Sequence, residues 1–138
     1  MIYLAEDDDA TRAAICLLLD CENLSVTGFA SCDALWAAVE PASADLLILD
    51  VQMPGMSGLE LLERLRHDRV LPPVILMTGN PTAKVRERAT AAGAFALLEK
   101  PFPGDDLIGL VRRALGEGSR DSGPAGQKHK LIYPTGPR

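Results

Sequence analysis

An α/β domain, with a parallel sheet covered by helices on both faces, is the fold class this sequence predicts, and three observations carry it. First, short continuous apolar runs end abruptly in charged or turn residues: Met1 to Ala5 before Glu6-Asp7-Asp8-Asp9, Leu46 to Leu49 before Asp50, and Val74 to Met77 before Thr78-Gly79. Runs of this kind read as strands buried on both sides, as parallel strands are. Second, the segments between them place apolar residues at helical spacing. Third, the connections are short, so five strands alternating with five helices need crossovers that cover both faces of the sheet.

Taken in order, Met1 to Ala5 is the first strand. A helix from about Ala10 to Asp20 follows, with Asp8 or Asp9 placed to cap it and meet its dipole. Its apolar stripe is wide (Ala14, Ile15, Leu17, Leu18 and Leu19), which suits a generously packed core helix or one buried against a partner. Ser25 to Phe29 is the second strand. Ser31 caps a helix through Val39, carried by Leu35, Trp36 and Val39 and stopped by Pro41. After the third strand, Ser57-Gly58-Leu59-Glu60 satisfies a capping box, and Leu59, Leu62 and Leu65 keep helical period up to His67. Pro73 to Met77 is the fourth strand. Asn80-Pro81 then predicts a cap and first turn for a helix through Ala92, closed by Gly93. Ala94 to Leu98 is the fifth strand, ending at Glu99-Lys100-Pro101. The last helix opens with Asp105 and Asp106, buries Leu107, Val111 and Leu115, and closes with Arg112 and Arg113 in the order its dipole favours. From Gly116 to Arg138 the chain is rich in Gly, Ser and Pro, with Leu131-Ile132-Tyr133 its one apolar cluster, and reads as a linker or tail.

At 138 residues the chain is of single-domain size and buries a sizeable core without a metal or disulfide staple. Its net charge of −5 argues against a non-specific nucleic-acid groove or an anionic membrane surface as partner, though not against a local basic patch. Cys16, Cys21 and Cys32 are an odd set without metal-ligand spacing, and read as free thiols of a reducing compartment. The first apolar run lacks the basic leader of a signal peptide, and no stretch has the length of a membrane span, so the expected location is the cytoplasm.

Ligands in open α/β folds bind outside the carboxyl ends of the strands. There this sequence puts Glu6 and Asp7 from the first strand, Asp50 from the third, Thr78 from the fourth and Lys100 from the fifth. Each is commonplace alone, as a cap or a strand-ending turn residue. Together they crowd three carboxylates, and two such charges about 4 Å apart repel by about 4 kcal/mol at an effective dielectric near 20. Raised pKa values or a bound cation must relieve that. An all-oxygen ligand set suits Mg²⁺, which completes its shell with water and phosphate oxygens. One cation, one ammonium and one hydroxyl around a carboxylate suit phosphoryl transfer, with the carboxylate attacking phosphorus to give an acyl phosphate.

In order and spacing, Glu6-Asp7, Asp50 with Met53-Pro54-Gly55-Met56-Ser57-Gly58, Thr78-Gly79 and Lys100-Pro101-Phe102 resemble the receiver domain of two-component response regulators. The resemblance runs from Met1 to about Leu115 and is greatest to receivers that precede a helix-turn-helix output domain. It implies a flavodoxin-like (βα)5 fold, a doubly wound five-stranded parallel sheet in the order 2-1-3-4-5, as a receiver domain over residues 1–116 with 117–138 as linker or tail. It implies that Asp50 is the phosphoacceptor for a sensor histidine kinase. Mg²⁺ is then held by Glu6 (mostly through water), Asp7, Asp50 and the backbone carbonyl of Gln52. Lys100 and Thr78 contact the phosphoryl group, the Lys100-Pro101 bond is cis, and the side chains of Gln52 and Asn80 tune phosphoryl lifetime. Two positions depart from the family pattern. Glu6 stands where Asp is usual, and Leu97 stands where many receivers carry an aromatic switch. Period-two alternation puts Phe95 on the same strand face as Leu97.

A phosphoryl group would draw Thr78 and the loop Gly79-Asn80-Pro81 towards it, altering the surface of the fourth helix, fifth strand and fifth helix. Lys84, Arg86, Glu87 and Arg88 share that surface with Asp105, Asp106, Arg112 and Arg113, a mixture suited to a two-fold dimer. The resemblance thus implies a phosphoacceptor and not a turnover enzyme. It also implies a phosphorylation-dependent homodimer and a transcriptional output domain, with no nucleic-acid or membrane binding by this domain. An aspartyl-phosphate hydrolase needs a second acid where Gln52 stands, and a nucleotide fold needs glycines where the acidic run stands. The alternative reading is a pseudo-receiver, an interaction module that works without phosphorylation.

Overall fold

The computed structural model describes residues 1–66, 72–116 and 131–134. The strands are β1 (Ile2–Ala5), β2 (Val26–Phe29), β3 (Leu46–Asp50), β4 (Val74–Thr78) and β5 (Ala96–Glu99). The helices are α1 (Asp9–Cys21), α2 (Cys32–Ala38), α3 (Gly58–Leu65), α4 (Ala83–Ala91) and α5 (Gly104–Ala114). These five strands are all parallel and lie in the order β2-β1-β3-β4-β5, as the resemblance implies. Ile48 sits opposite Leu4 on one side and Ile75 on the other, so β3 is central.

A sixth strand, β6 (Leu131–Pro134), adds to the free edge of β5 in the antiparallel sense. The sequence gives no pairing partner for this segment. Its apolar cluster, with an Ile and a Tyr, has the strand propensity that the rest of 117–138 lacks.

Alternation along each strand builds two cores. Leu46 and Ile48 face Ile15 and Leu19 of α1 and Leu107, Leu110 and Val111 of α5. Leu47 and Leu49 face Leu35 of α2, Leu59 and Leu62 of α3 and Ala89 of α4. Every residue of β3 is buried, so Asp50 is delivered by a strand with no wet face.

The helix ends follow local chemistry, with exceptions. Asp8 caps α1, Ser31 caps α2, and Ser57 with Glu60 forms the expected capping box on α3. The Asn80-Pro81 cap reading is corrected: Thr82 caps α4, its hydroxyl accepting from the Val85 amide at 3.2 Å. Asn80 is held elsewhere, its amide donating to the Thr78 hydroxyl at 3.0 Å. The wide stripe of α1 is also not filled. Ile15 and Leu19 are buried, whereas Ala14 faces solvent and Leu17 is 63% exposed, because only one side of α1 meets the sheet. The end proposed for α3 at His67 lies outside the described residues. Among the described residues, no helix is long and apolar enough to cross a membrane.

Candidate functional site at the carboxyl edge of the sheet

At the end of β1, the Glu6 amide donates to the Phe29 carbonyl at 3.0 Å, fixing the chain as it leaves the sheet. The Glu6 side chain turns inward and is almost completely buried. Its Oε2 accepts from the Asp8 amide at 3.0 Å. Arg12, one turn into α1, donates to the Glu6 carbonyl at 2.8 Å and to Asp9 Oδ1 at 2.6 Å. Nothing in the spacing of Arg12 along the sequence shows that α1 brings it back under Glu6.

Asp50 ends β3, buried, with Oδ1 accepting from the Gln52 amide at 2.9 Å. Lys100, one residue past β5, donates through Nζ to Asp50 Oδ2 at 2.8 Å and to Glu6 Oε1 at 2.9 Å. The Lys100 amide donates to the Thr78 carbonyl at 2.8 Å, tying the β5 exit to β4, and the Lys100-Pro101 bond is cis. Thr78 is fully buried, and its hydroxyl donates to Gln52 Oε1 at 3.5 Å, a long contact for a hydrogen bond. Asp33 of α2, also missed in the sequence, accepts from the Met56 amide at 3.1 Å and steadies the loop after β3.

Glu6, Asp7 and Asp50 each bring one carboxylate oxygen within 4.8 Å of the others. The crowding foreseen from sequence is therefore present, and Lys100 relieves part of it by bridging two of the three. Burial pushes the Glu6 carboxyl above its ordinary value; the Asp8 amide and Lys100 oppose that shift, and the Asp50 charge adds to it. Burial alone would lower the Lys100 ammonium, but hydrogen bonds to Asp50 and Glu6 and their charges outweigh it, and its pKa is raised. The donor set is entirely hard oxygen, with Asp7 open to solvent, and fits a divalent cation such as Mg²⁺.

The expected face for Phe95 is corrected. Leu97 is buried with the α2–α4 core, whereas Phe95 packs against the α1–α5 core. β5 begins at Ala96, so Phe95 precedes the strand and its alternation. Two of the charges assigned to the fourth-helix and fifth-helix surface are also committed to other neighbours. Arg88 pairs with Glu63 of α3 at 2.8 Å, and Arg112 with Glu22 after α1 at 2.9 Å.

A doubly wound α/β domain with a lysine-bridged acidic cup at its carboxyl edge is the class that fold and site define. Residues 2–112 match the response regulator receiver domain family. The chain is 38% identical over 115 residues to the transcriptional regulatory protein FixJ of Azorhizobium caulinodans, covering 83% of this chain and 54% of that protein. It is 37% identical over 114 residues to the C4-dicarboxylate transport transcriptional regulatory protein DctD of Pseudomonas aeruginosa, covering 83% of this chain and 25% of that one. Among solved structures, FixJ-N superposes with a TM-score of 0.74 at 28% identity, covering 83% of this chain and 92% of that one. The chemotaxis protein CheY4 of Vibrio cholerae superposes with a TM-score of 0.75 at 25% identity, covering 83% and 97%. The chain belongs to the response regulator receiver domain family. It spans about half the length of the FixJ proteins it matches, and a quarter of DctD.

Proposed function

We propose that this chain is a phosphoacceptor switch in which Asp50 takes a phosphoryl group from the phosphohistidine of a sensor histidine kinase. The observation that carries the reading is the Lys100 ammonium, seated within 2.9 Å of both Asp50 and Glu6 from far along the chain. A carboxylate oxygen of Asp50 attacks phosphorus in line; the P–O bond forms, the P–N bond breaks, and the imidazole leaves and takes up a proton. Lys100 and the Gln52 amide hold the carboxylate in place, and Lys100 faces the charge on the phosphoryl oxygens. Bound Mg²⁺ would neutralise further charge on those oxygens, held by Glu6, Asp7, Asp50 and the Gln52 carbonyl. Both Glu6 oxygens already accept hydrogen bonds, which favours contact through water on its part.

Thr78 is the proposed lever. Turning its hydroxyl to a phosphoryl oxygen releases the Asn80 amide and lets the loop before α4 shift. Gly79 offers no obstruction, having open space where a Cβ would stand. α4 is thinly anchored, with Ala89 its one buried residue, so it is suited to move. With Arg88 and Arg112 turned to other partners, the surface left for a homodimer centres on Lys84, Arg86 and Glu87 of α4 with Asp105 and Arg113 of α5. The FixJ and DctD relatives are named as transcriptional regulators and are longer than this chain, which supports a cytoplasmic domain that controls an output domain. Gln52, in place of the second acid a hydrolase needs, supports a switch and not a turnover enzyme. No feature of the site favours the reading without phosphorylation.

Incubation with acetyl phosphate and Mg²⁺, followed by intact mass, tests this. Wild type gains one phosphoryl group and Asp50→Asn gains none. Equal gain by both would remove Asp50 from the role.

A further inference from the structure

An edge strand in a parallel sheet presents a row of unpaired backbone groups to any strand that can reach it. The Lys100 amide donates across to Thr78 of β4 at 2.8 Å, so alternation back along β5 points the amides of Leu98 and Ala96 at β4 and turns the Leu97 amide outward, to the open side of β5. That side is occupied. β6 lies along it, Pro134 opposite Ala96, Tyr133 opposite Leu97 and Leu131 opposite Leu98, with Ile132 the extra residue where the register shifts. α4 and α5 pack on opposite faces of the sheet, Ala89 in one core and Leu107 in the other. The rim between them is the β5 edge, and a strand set about 4.8 Å from β5 fills it.

We infer that Leu131–Pro134 is an intramolecular occupant of the α4–β5–α5 surface, and that a second copy of this chain must displace it to dimerise there. The inference rests on the phosphoacceptor reading for its trigger, while the strand pairing stands apart from it. Pro134 has no amide to donate, so it suits the end of a strand that must detach without propagating the sheet. If the segment is docked about nine-tenths of the time in each copy, each contributes a tenfold handicap, and dimerisation is weakened about a hundredfold.

The test compares the full chain with the double variant Leu131→Pro/Tyr133→Pro, which deletes two amides from β6 and touches no residue of the parallel sheet. Hydrogen exchange reads the pairing, intact mass reads phosphorylation, and sedimentation velocity after acetyl phosphate and Mg²⁺ reads dimerisation. The expected result is exchange at Leu97 at least about tenfold faster in the variant, with Leu47 and Ile48 unchanged, and a dimer that forms at about ten- to a hundredfold lower concentration. Equal exchange at Leu97 overturns the docking. Equal dimerisation, or two monomers carrying the phosphoryl group, overturns the competition. No mass gain in either form overturns the phosphoacceptor reading, and the competition with it.

Discussion

Gly58 is the position where one methyl group would do the most damage. It opens α3 directly against the end of β3, and a Cβ there would stand 2.6 Å from the Asp50 carbonyl oxygen, 2.9 Å from Leu49 Cβ and 3.1 Å from the Asp50 carbonyl carbon. Two of those neighbours are backbone of a fully buried strand and cannot rotate aside. To reach ordinary contact at 3.4 Å, α3 must retreat, and with it the buried Leu59, Leu61, Leu62 and Leu65. Overpacking of this kind costs about 1–3 kcal/mol, against a helix-propensity gain for Gly58→Ala of at most about 1 kcal/mol. The net expectation is about 1–2 kcal/mol of lost stability, or a fall in Tm of about 4–8 °C for a domain of this size. Because the strained atoms include the Asp50 backbone, phosphorylation by acetyl phosphate should slow by about tenfold or more. Gly109→Ala is the control: it is exposed on α5 with nothing within 4 Å, and should stabilise by about 0.5–1 kcal/mol. Circular-dichroism melts and initial rates read both variants. A Gly58→Ala protein that melts at or above the wild-type temperature and phosphorylates at the same rate would refute the packing argument.

Three further outcomes are expected. Lys100→Met leaves Glu6 and Asp50 buried without their shared cation and should lose about 3 kcal/mol at pH 7. The Lys100 pKa is raised above 10.5, so its contribution is fully present below that pH and is lost as pH rises through the folded-state value. The gap between wild type and variant in chemical denaturation should therefore close in strong alkali; equal stability at pH 7 would contradict the bridge. Mg²⁺ at about a hundred times its dissociation constant should stabilise wild type by about 2.7 kcal/mol and Asp7→Asn far less, measured by the same melts. Burial, with Asp33, Asp50 and Glu60 adding to it, pushes the Cys32 thiol up to about 12, whereas Cys21 is exposed. Native protein at pH 8 should be alkylated at Cys21 and spared at Cys32 until it is unfolded, as read by peptide mass.

The fold was legible because its strands are uniformly apolar, and that signal survives without tertiary information. The same holds for the cup: once Leu46 to Leu49 is a buried strand, Asp50 must lie at its carboxyl end, and Glu6, Thr78 and Lys100 follow by the same logic. What was hidden depends on contacts between elements. Arg12 reaches the Glu6 carbonyl only because α1 packs where it does, and Arg88 and Arg112 turn to Glu63 and Glu22 on other elements. Phe95 escapes the period-two rule because a strand that starts one residue later imposes no alternation on it. Thr82 displaced Asn80 as the cap of α4 because the Asn80 amide bonds Thr78, a contact between loop and strand end. The β5–β6 pairing joins segments too far apart in the chain for local pattern to connect.

Locating the phosphoryl group on the chain is the most direct test of the central claim. Protein treated with acetyl phosphate and Mg²⁺, trapped by borohydride reduction and mapped by peptide mass, should carry its modification at residue 50 and nowhere else. A modification at another residue, or none at Asp50 while the intact protein has gained phosphate, would contradict the account.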